Sequence, residues 1–228
     1  MENKKPIRAV IFDLDGTLID SEENYYLADK KLLKQYDIPF SVEDKKKYIG
    51  SGNREMMIDL KKRFSLPESV EELVKMKNDF YLEIAEKNTR LYPKMKSFLD
   101  SLHSQGYLTA IASGSSPLII SRLVDALHLR SFFNIIISAE EVGRGKPAPD
   151  IFIEAAKRLD VSAEESLVIE DSQYGVESAK RASMRCIAVP YLTEKPLAES
   201  FHRADLLFEN GMEEFSAEKA LAWIGSQQ

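Results

Sequence analysis

The stretch that decides the fold is residues 9–17, which read AVIFDLDGT. Its first four residues are an unbroken apolar run, which is typical of a strand buried on both faces of a parallel sheet. Asp13 and Asp15 follow, and because side chains alternate along a strand, both carboxylates point to the same side before Gly16 permits a tight turn. Two like charges at a buried strand end need a cation or a proton to offset them. The motif therefore suggests a divalent-metal site or a nucleophile with an acid/base partner, although alone it is more typical of a solvated Asp-Gly turn.

The composition narrows the class of protein. The chain has 228 residues, 44% hydrophobic and 30% charged, which is ordinary for a soluble globular protein with a sizeable core. Its formal net charge of −6 argues against a nucleic-acid partner, because phosphate neutralisation normally needs a basic face. Cys186 is the only cysteine, so no intrachain disulfide can form. No apolar segment suits a secretory signal or a membrane span, so we expect a cytoplasmic monomer without membrane contact.

Apolar runs and helix patterns alternate along most of the chain. After the first strand, the predicted strands cover residues 108–112, 133–137, 167–169, 186–189 and, more weakly, 206–208. Helix patterns between them begin near residues 94, 116, 149 and 175. This alternation predicts right-handed βαβ units and an α/β fold with a doubly wound, Rossmann-like parallel sheet.

One segment, residues 20–92, breaks the alternation. It has no convincing strand, and Lys, Glu and Leu recur in it at helical spacing. The predicted helices cover residues 22–36, 53–64 and 70–88. We therefore predict an all-helical domain of residues 20–92, inserted into a discontinuous core made of residues 1–19 and 93–228.

Polar residues follow each of the first four predicted core strands. Ligands of doubly wound sheets bind at the carboxyl ends of the strands. Ser113 and Gly114 follow the second strand, where a hydroxyl and free N–H groups ahead of a helix suit an anion such as phosphate. Lys146 lies in the loop after the third strand, and Glu170 and Asp171 end the fourth. Taken singly, these residues could be an ordinary serine cap, a solvated loop lysine and caps of the next helix.

Taken together, the strand-end residues indicate one type of chemistry. Carboxylates that converge in a partly desolvated site repel each other strongly, and one lysine cannot offset four of them. A hard cation with oxygen ligands can, and Mg²⁺ suits because it accepts few carboxylates, keeps waters and binds phosphate oxygens. The pattern therefore favours metal-assisted phosphoryl transfer on a small phosphorylated substrate.

The sequence resembles the haloacid dehalogenase superfamily. The four motifs of that superfamily match, in order, residues 13–17 (DLDGT), Ser113, Lys146 and residues 170–171 (ED). Within the superfamily, residues 145–152 (GKPAPDIF) and 170–173 (EDSQ) resemble the β-phosphoglucomutase-like phosphatases. The inserted helical segment is similar to the cap domain that the family places between its first and second motifs.

The resemblance implies a role for each matched residue. Asp13 would attack phosphorus to form an aspartyl-phosphate, and Asp15 would protonate the leaving oxygen and later deprotonate water. Ser113 and the backbone N–H of Gly114 would hold the phosphoryl oxygens, while Lys146 would offset their charge and that of the nucleophile.

The resemblance also implies a Mg²⁺ site. The metal would bind Asp13, the backbone carbonyl of Asp15 and Asp171, with Glu170 assisting directly or through water. Thr17, counted among the phosphate-binding residues, would help to set the turn and position Asp15.

Two cationic residues of the helical segment resemble substrate-site residues of β-phosphoglucomutase. Arg54, in residues 50–54 (GSGNR), resembles an arginine that grips the remote phosphate of the substrate. Lys77, in residues 75–79 (KMKND), resembles a second cap residue near the active site. Exposed helix cations are the alternative interpretation of both residues.

The leading hypothesis is a Mg²⁺-dependent phosphatase that acts on small phosphorylated metabolites, sugar phosphates in particular. The alternative is a β-phosphoglucomutase-type hexose-phosphate mutase. Two departures argue against the mutase: its cap histidine is replaced by Tyr25 or Asn24, and Thr17 fits the phosphatase pattern better. A non-enzymatic phosphorylation switch is a further alternative, but such receiver domains are shorter and lack a helical insert.

Overall fold

The computed structural model describes residues 5–48 and 52–227. Its strands are β1 (Ala9–Phe12), β2 (Ile19–Asp20), β3 (Arg90–Leu91), β4 (Leu108–Ser113), β5 (Ile135–Ser138), β6 (Ser166–Glu170), β7 (Arg185–Ala188) and β8 (Leu206–Leu207). Its α-helices are α1 (Glu22–Lys34), α2 (Val42–Lys46), α3 (Asn53–Phe64), α4 (Val70–Asn88), α5 (Pro93–Ser104), α6 (Pro117–Ala126), α7 (Asp150–Arg158), α8 (Gln173–Arg181), α9 (Gly211–Glu214) and α10 (Ala217–Gly225). None of these helices is long and apolar enough to cross a membrane.

A parallel sheet lies at the centre of the described chain. Its six strands run in the order β5–β4–β1–β6–β7–β8, and each pairs in parallel with its neighbours. The chain builds outward from β1 to β4 and β5 on one side, then returns to build β6, β7 and β8 on the other. The strand order therefore reverses at β1, which confirms the predicted doubly wound α/β fold.

The burial of β1 shows why this strand is central. All four of its residues are fully buried, and their side chains alternate between two hydrophobic clusters. Val10 and Phe12 pack with residues of α5, α6 and α10, whereas Ala9 and Ile11 pack with residues of α7 and α8. The sheet is thus covered by helices on both faces, which is why its strands read as continuous apolar runs.

The segment that the sequence singled out is helical and contains α1 to α4. One hydrophobic cluster consists only of its residues, namely Leu32, Leu33, Phe40, Met56, Met57, Leu60, Leu66 and Leu73. The prediction that no strand occurs there was wrong in one detail, because β2 and β3 pair antiparallel at its two ends. Two-residue strands are too short for an alternating pattern to show in the sequence.

Candidate active site

Side chains from three strand ends meet where the strand order reverses. Asp13 follows β1, Glu170 ends β6, and Lys146 reaches between them from the loop after β5. The Lys146 Nζ atom lies 2.5 Å from Asp13 Oδ1 and 2.5 Å from Glu170 Oε1, and it also donates to the backbone oxygen of Ala112 at 3.2 Å. Asp13, Lys146 and Glu170 therefore lie together in the structure, as predicted.

This group carries more negative charge than Lys146 offsets. Burial raises the pKa of Asp13 to about 8; Lys146 acts in the opposite direction, while Glu170 and Asp15 raise it further. Burial alone would lower the pKa of Lys146, but the carboxylates of Asp13 and Glu170 outweigh that effect and raise it. Lys146 is therefore fixed as a cation, whereas Asp13 needs further positive charge to be ionised at neutral pH.

Both oxygens of the Glu170 carboxylate are occupied. Oε1 accepts from Lys146, and Oε2 accepts from the backbone N–H of Asp171 and from the N–H and hydroxyl of Ser172, each at 3.0 Å. The carboxylate also packs against Gly175 so closely that a Cβ there would lie 1.8 Å from Glu170 Cδ. Glu170 is thus placed to hold Lys146 and the loop after β6, rather than to offer an oxygen to the cavity.

Asp171 lies under the turn that follows the first motif. Its Oδ1 accepts from the Thr17 hydroxyl at 3.0 Å, and a Cβ at Gly16, which has φ +80°, would come within 2.4 Å of its Oδ2. Burial, together with Glu170 and Asp13, raises the pKa of Asp171 well above its usual value. Thr17 therefore binds Asp171 through its hydroxyl, and it is fully buried beneath the turn, whereas it was counted among the phosphate-binding residues.

Hydroxyl groups surround the Asp15 carboxylate. Its Oδ2 accepts from Ser115 at 2.7 Å and from Ser113 at 3.3 Å, and its Oδ1 accepts from Tyr81 at 3.5 Å. The backbone N–H of Ser115 in turn donates to the Ser113 hydroxyl at 3.0 Å. Tyr25 completes the group through a 2.6 Å hydrogen bond to the Ser115 hydroxyl. No role was predicted for Ser115 or Tyr81, although the serine-rich turn after β4 was a signal for Ser115.

A cavity of about 690 Å³ lies between the strand ends and the helical segment. Asp13, Asp15, Gly114, Lys146 and Asp171 line it from the sheet side. The opposite wall includes Glu22, Tyr25, Lys45, Tyr48, Asn53, Arg54 and Asn78. Such a volume is in the range of small-molecule sites.

The two predicted cap cations have different positions. Arg54 lines the cavity, where its guanidinium lies 2.6 Å from Glu71 Oε1; Gly50 and Ser51 of its motif lie outside the described residues. Lys77 does not line the cavity. Its side chain is buried in the helical segment because Asp29, also buried, holds its ammonium at 2.8 Å. The alternative of an exposed helix cation is wrong for Lys77 as well.

Asp29 binds a second lysine, Lys45, at 3.0 Å, so one buried carboxylate serves two buried ammonium groups. Burial lowers the pKa of Lys77 to about 8, with Asp29 opposing that shift and Lys45 reinforcing it. Lys45 lies in the cavity wall, whereas Lys77 lies behind it. The positions of Asp29 and Lys45 were not predicted, because helical spacing does not indicate a buried ion cluster.

This cluster predicts a pH dependence of stability. Between pH 8 and 10.5 the unfolded chain keeps the Lys77 proton that the folded protein has released, so stability should rise as the pH rises through that window. The expected gain is on the order of 3 kcal/mol. Urea unfolding of the wild type and of Lys77→Met measures it, because the variant should lose this part of the slope. Equal slopes for the two proteins would contradict the assignment.

Comparison with known proteins identifies the family. A family model described as haloacid dehalogenase-like hydrolase matches residues 10–189, which is most of the chain. The chain belongs to the haloacid dehalogenase-like hydrolases. Among curated relatives of this hydrolase, a phosphoglycolate phosphatase from Aquifex aeolicus is 32% identical over 181 residues, which cover 78% of this chain and 83% of the relative.

Other relatives of the hydrolase point to the same class. A phosphorylated carbohydrates phosphatase from Thermotoga maritima is 28% identical over 181 residues, which cover 79% of this chain and 84% of the relative. The crystal structure of CbbY from Rhodobacter sphaeroides in complex with phosphate has 26% identity and a TM-score of 0.78, covering 90% of this chain and 95% of its own. The predicted superfamily and the phosphatase class are confirmed.

The residues of this hydrolase fit a Mg²⁺ ion in one specific way. Among residues 5–48 and 52–227, no three His, Cys, Asp or Glu side chains form a metal cluster. The predicted set was Asp13, the backbone carbonyl of Asp15 and Asp171, with Glu170 assisting directly or through water. Without Glu170 it retains two carboxylates, and Mg²⁺ accepts few carboxylates while keeping waters. Both carboxyl groups are buried with raised pKa values, so each has a need for positive charge. The donor set therefore suits a hard divalent cation, with Glu170 outside it.

Proposed function

We propose that this haloacid dehalogenase-like hydrolase is a phosphatase that hydrolyses small phosphorylated metabolites, sugar phosphates in particular, with Asp13 as the nucleophile. The observation that carries the proposal is the ion pair of Lys146 with both Asp13 and Glu170, at the floor of a cavity that Asp15 also lines. The net charge of −6 supports a small metabolite, rather than a nucleic acid, as the partner.

The first chemical step uses Asp13 and Lys146. Lys146 holds Oδ1 of Asp13, which leaves Oδ2 to attack the phosphorus of the substrate. A bond forms between this oxygen and phosphorus while the bond from phosphorus to the leaving oxygen breaks, giving an aspartyl-phosphate. The ammonium of Lys146 offsets charge on the nucleophile and the phosphoryl group, as does the N–H of Gly114 in the cavity wall.

The proton transfers belong to Asp15. It donates a proton to the departing oxygen in the first step, and then takes one from the water that attacks the aspartyl-phosphate. The second attack releases inorganic phosphate and restores Asp13. The hydroxyls of Ser113 and Ser115 fix the Asp15 carboxyl group at the cavity.

Mg²⁺ would be held by Asp13, Asp171 and the backbone carbonyl of Asp15. When bound, it supplies positive charge to the phosphoryl oxygens and to the two carboxylates. Thr17 and Gly16 keep Asp171 in place for this purpose, through a hydrogen bond and through close packing.

The wall opposite the strand ends favours a hydroxylated leaving group. Glu22 Oε2 and Asn78 Oδ1 are buried oxygens that accept no hydrogen bond from the described part of the chain, and both residues line the cavity. Buried acceptors without a donor are costly, so donors from the substrate would stabilise them. Sugar hydroxyls are such donors, whereas the carboxylate of a compound such as phosphoglycolate is not.

Bound Mg²⁺ should raise the melting temperature even without substrate. Because the metal binds the assembled site and not the unfolded chain, it stabilises the fold by about 2.7 kcal/mol at 100 times its Kd. Thermal unfolding with and without MgCl₂ measures the effect. Asp171→Asn should remove it, whereas Asp100→Asn, in an exposed ion pair with Lys96, should keep it. Equal melting temperatures with and without MgCl₂ would contradict the proposed metal site.

A phosphate-release screen tests the proposed function. Purified protein with Mg²⁺ is incubated with 4-nitrophenyl phosphate, a panel of sugar phosphates and phosphoglycolate, beside Asp13→Asn as the inactive control. Incubation with β-glucose 1-phosphate and a bisphosphate primer separates the alternative, because a mutase yields glucose 6-phosphate and a phosphatase yields inorganic phosphate. Accumulation of a long-lived phosphoaspartate without turnover would instead indicate a phosphorylation switch.

A further inference from the structure

We propose that Tyr25 is a positioning residue that orients Asp15 through Ser115; the proposal rests on the function proposed above, in which Asp15 is the acid/base. Tyr25 lies on α1 of the helical segment, whereas Asp15 and Ser115 follow strands of the sheet. The three side chains form one hydrogen-bonded chain that ends at the cavity.

The direction of the hydrogen bonds follows from counting protons. Asp15 Oδ2 lies 2.7 Å from the Ser115 hydroxyl, and it accepts there both in the ionised carboxylate and in the acid form that has its transferable proton on Oδ1, so Ser115 donates its single proton to Oδ2. The Tyr25 hydroxyl lies 2.6 Å from the same Ser115 oxygen and must therefore donate to it. Burial, with Asp15 nearby, raises the pKa of Tyr25 well above its usual value, so the phenol keeps the proton that it donates.

The Tyr25 ring is held on several sides. It stacks on Tyr81 with 3.9 Å between ring centroids and an interplanar angle of 15°. The ammonium groups of Lys45 and Lys77 lie 5.3 Å and 5.4 Å from its centroid, which is within the range of cation–π attraction. Since the side chain is also buried, its hydroxyl occupies a fixed point from which Ser115 is oriented.

Of the three hydroxyl groups that donate to the Asp15 carboxylate, Ser115 is the nearest, at 2.7 Å. The other two donors, Ser113 and Tyr81, lie at 3.3 Å and 3.5 Å and hold the carboxyl group more weakly. Without the Tyr25 hydroxyl, the Ser115 oxygen loses its donor and its rotamer is no longer fixed. Asp15 would then lose its orientation toward the leaving oxygen, and proton transfer depends steeply on such alignment.

The test compares two leaving groups in Tyr25→Phe. The ratio kcat/KM covers the steps up to departure of the leaving group; 4-nitrophenolate departs without a proton, whereas the alkoxide of hexyl phosphate needs one. We expect kcat/KM for hexyl phosphate to fall by about tenfold or more, and that for 4-nitrophenyl phosphate by less than about twofold. A purely structural role of Tyr25 would lower both values equally.

Two further variants sharpen the test. Tyr26→Phe is the matched control, because Tyr26 is the next residue of α1 and its hydroxyl donates to the backbone oxygen of Phe40, at 3.4 Å, within the helical segment. It should leave both kcat/KM values unchanged. Ser115→Ala should reproduce the selective loss, and adding Tyr25→Phe to it should cost little more, because both act through one chain of bonds.

Each outcome decides for or against the proposal. Equal losses on the two esters, no loss on either, or additive effects of Tyr25→Phe and Ser115→Ala would overturn the role of Tyr25. If Tyr25→Phe does not fold, Ser115→Ala alone must show the selective loss for the relay to stand. The proposed function fails separately, if the wild type hydrolyses neither ester or if Asp13→Asn hydrolyses 4-nitrophenyl phosphate as well as the wild type.

Discussion

Replacing Asp13 with Asn should lower kcat for phosphate release on the order of 10⁴-fold or more, which is the scale of losing a catalytic nucleophile. The amide has the shape of the carboxyl group but cannot attack phosphorus to form an aspartyl-phosphate. Lys146 keeps its ion pair with Glu170 at 2.5 Å, so the surrounding site should survive the change. The measurement is steady-state phosphate release, together with acid quenching to detect the covalent intermediate.

Asp13→Asn should remain at least as stable as the wild type, so its loss of activity would reflect the loss of the nucleophile and not unfolding. Burial and the neighbouring carboxylates Glu170 and Asp15 oppose ionisation of Asp13, so the neutral amide should leave the melting temperature unchanged or raise it. Asp100→Asn, at an exposed ion pair, should retain full activity. Phosphate release by Asp13→Asn at the wild-type rate would end the assignment of Asp13 as nucleophile.

The second large effect is expected at Asp29, within the helical segment. Asp29→Asn should reduce the free energy of unfolding by about 3–5 kcal/mol, because it leaves the buried ammonium groups of Lys45 and Lys77 without their counter-charge. Asn has the same volume as Asp, so no cavity contributes to the loss. Urea denaturation measures the change from the shift in midpoint.

The control is Asp79→Asn on α4 of the same segment. Asp79 forms an exposed ion pair with Lys75, at 2.7 Å, and such pairs contribute less than about 1 kcal/mol. A loss below about 1 kcal/mol in Asp29→Asn would show that the two lysines find other partners or deprotonate at little cost.

Much of the fold was predictable because its central strands and long helices are strongly patterned. The predicted bounds of α3 and α4 are those of the structure, since 12 and 19 residues give several turns of periodicity. Neither α2, which has five residues, nor α10 was predicted, although Ser216 caps the latter. Five residues give α2 too few turns for a periodic pattern, so its capping serine is the remaining signal. Length does not explain α10, because it has nine residues, as α7 and α8 do.

The site was predictable to the extent that its residues follow strands. The strand-end rule brought Asp13, Lys146 and Glu170 together in advance, because parallel strands end at one edge of the sheet. The surroundings of Asp15 were not predictable in this way, since Tyr25 and Tyr81 reach it from two helices whose packing no local pattern specifies. Lys77 shows the converse: a motif resemblance places a residue in the sequence but does not tell which carboxylate its side chain will meet.

The pairing of β2 with β3 has a consequence for how this architecture can change over time. The chain leaves the sheet layer and re-enters it through two adjacent antiparallel segments, with Ile19 opposite Leu91. The residues between β2 and β3 are therefore an insertion whose two ends are held together by this pairing. Their number and sequence can change during evolution without altering the register of the six-stranded sheet. The cavity wall opposite the strand ends can thus diverge while Asp13, Lys146 and Glu170 keep their places, and Tyr25 and Tyr81 are the positions within the insertion where a change would reach the surroundings of Asp15.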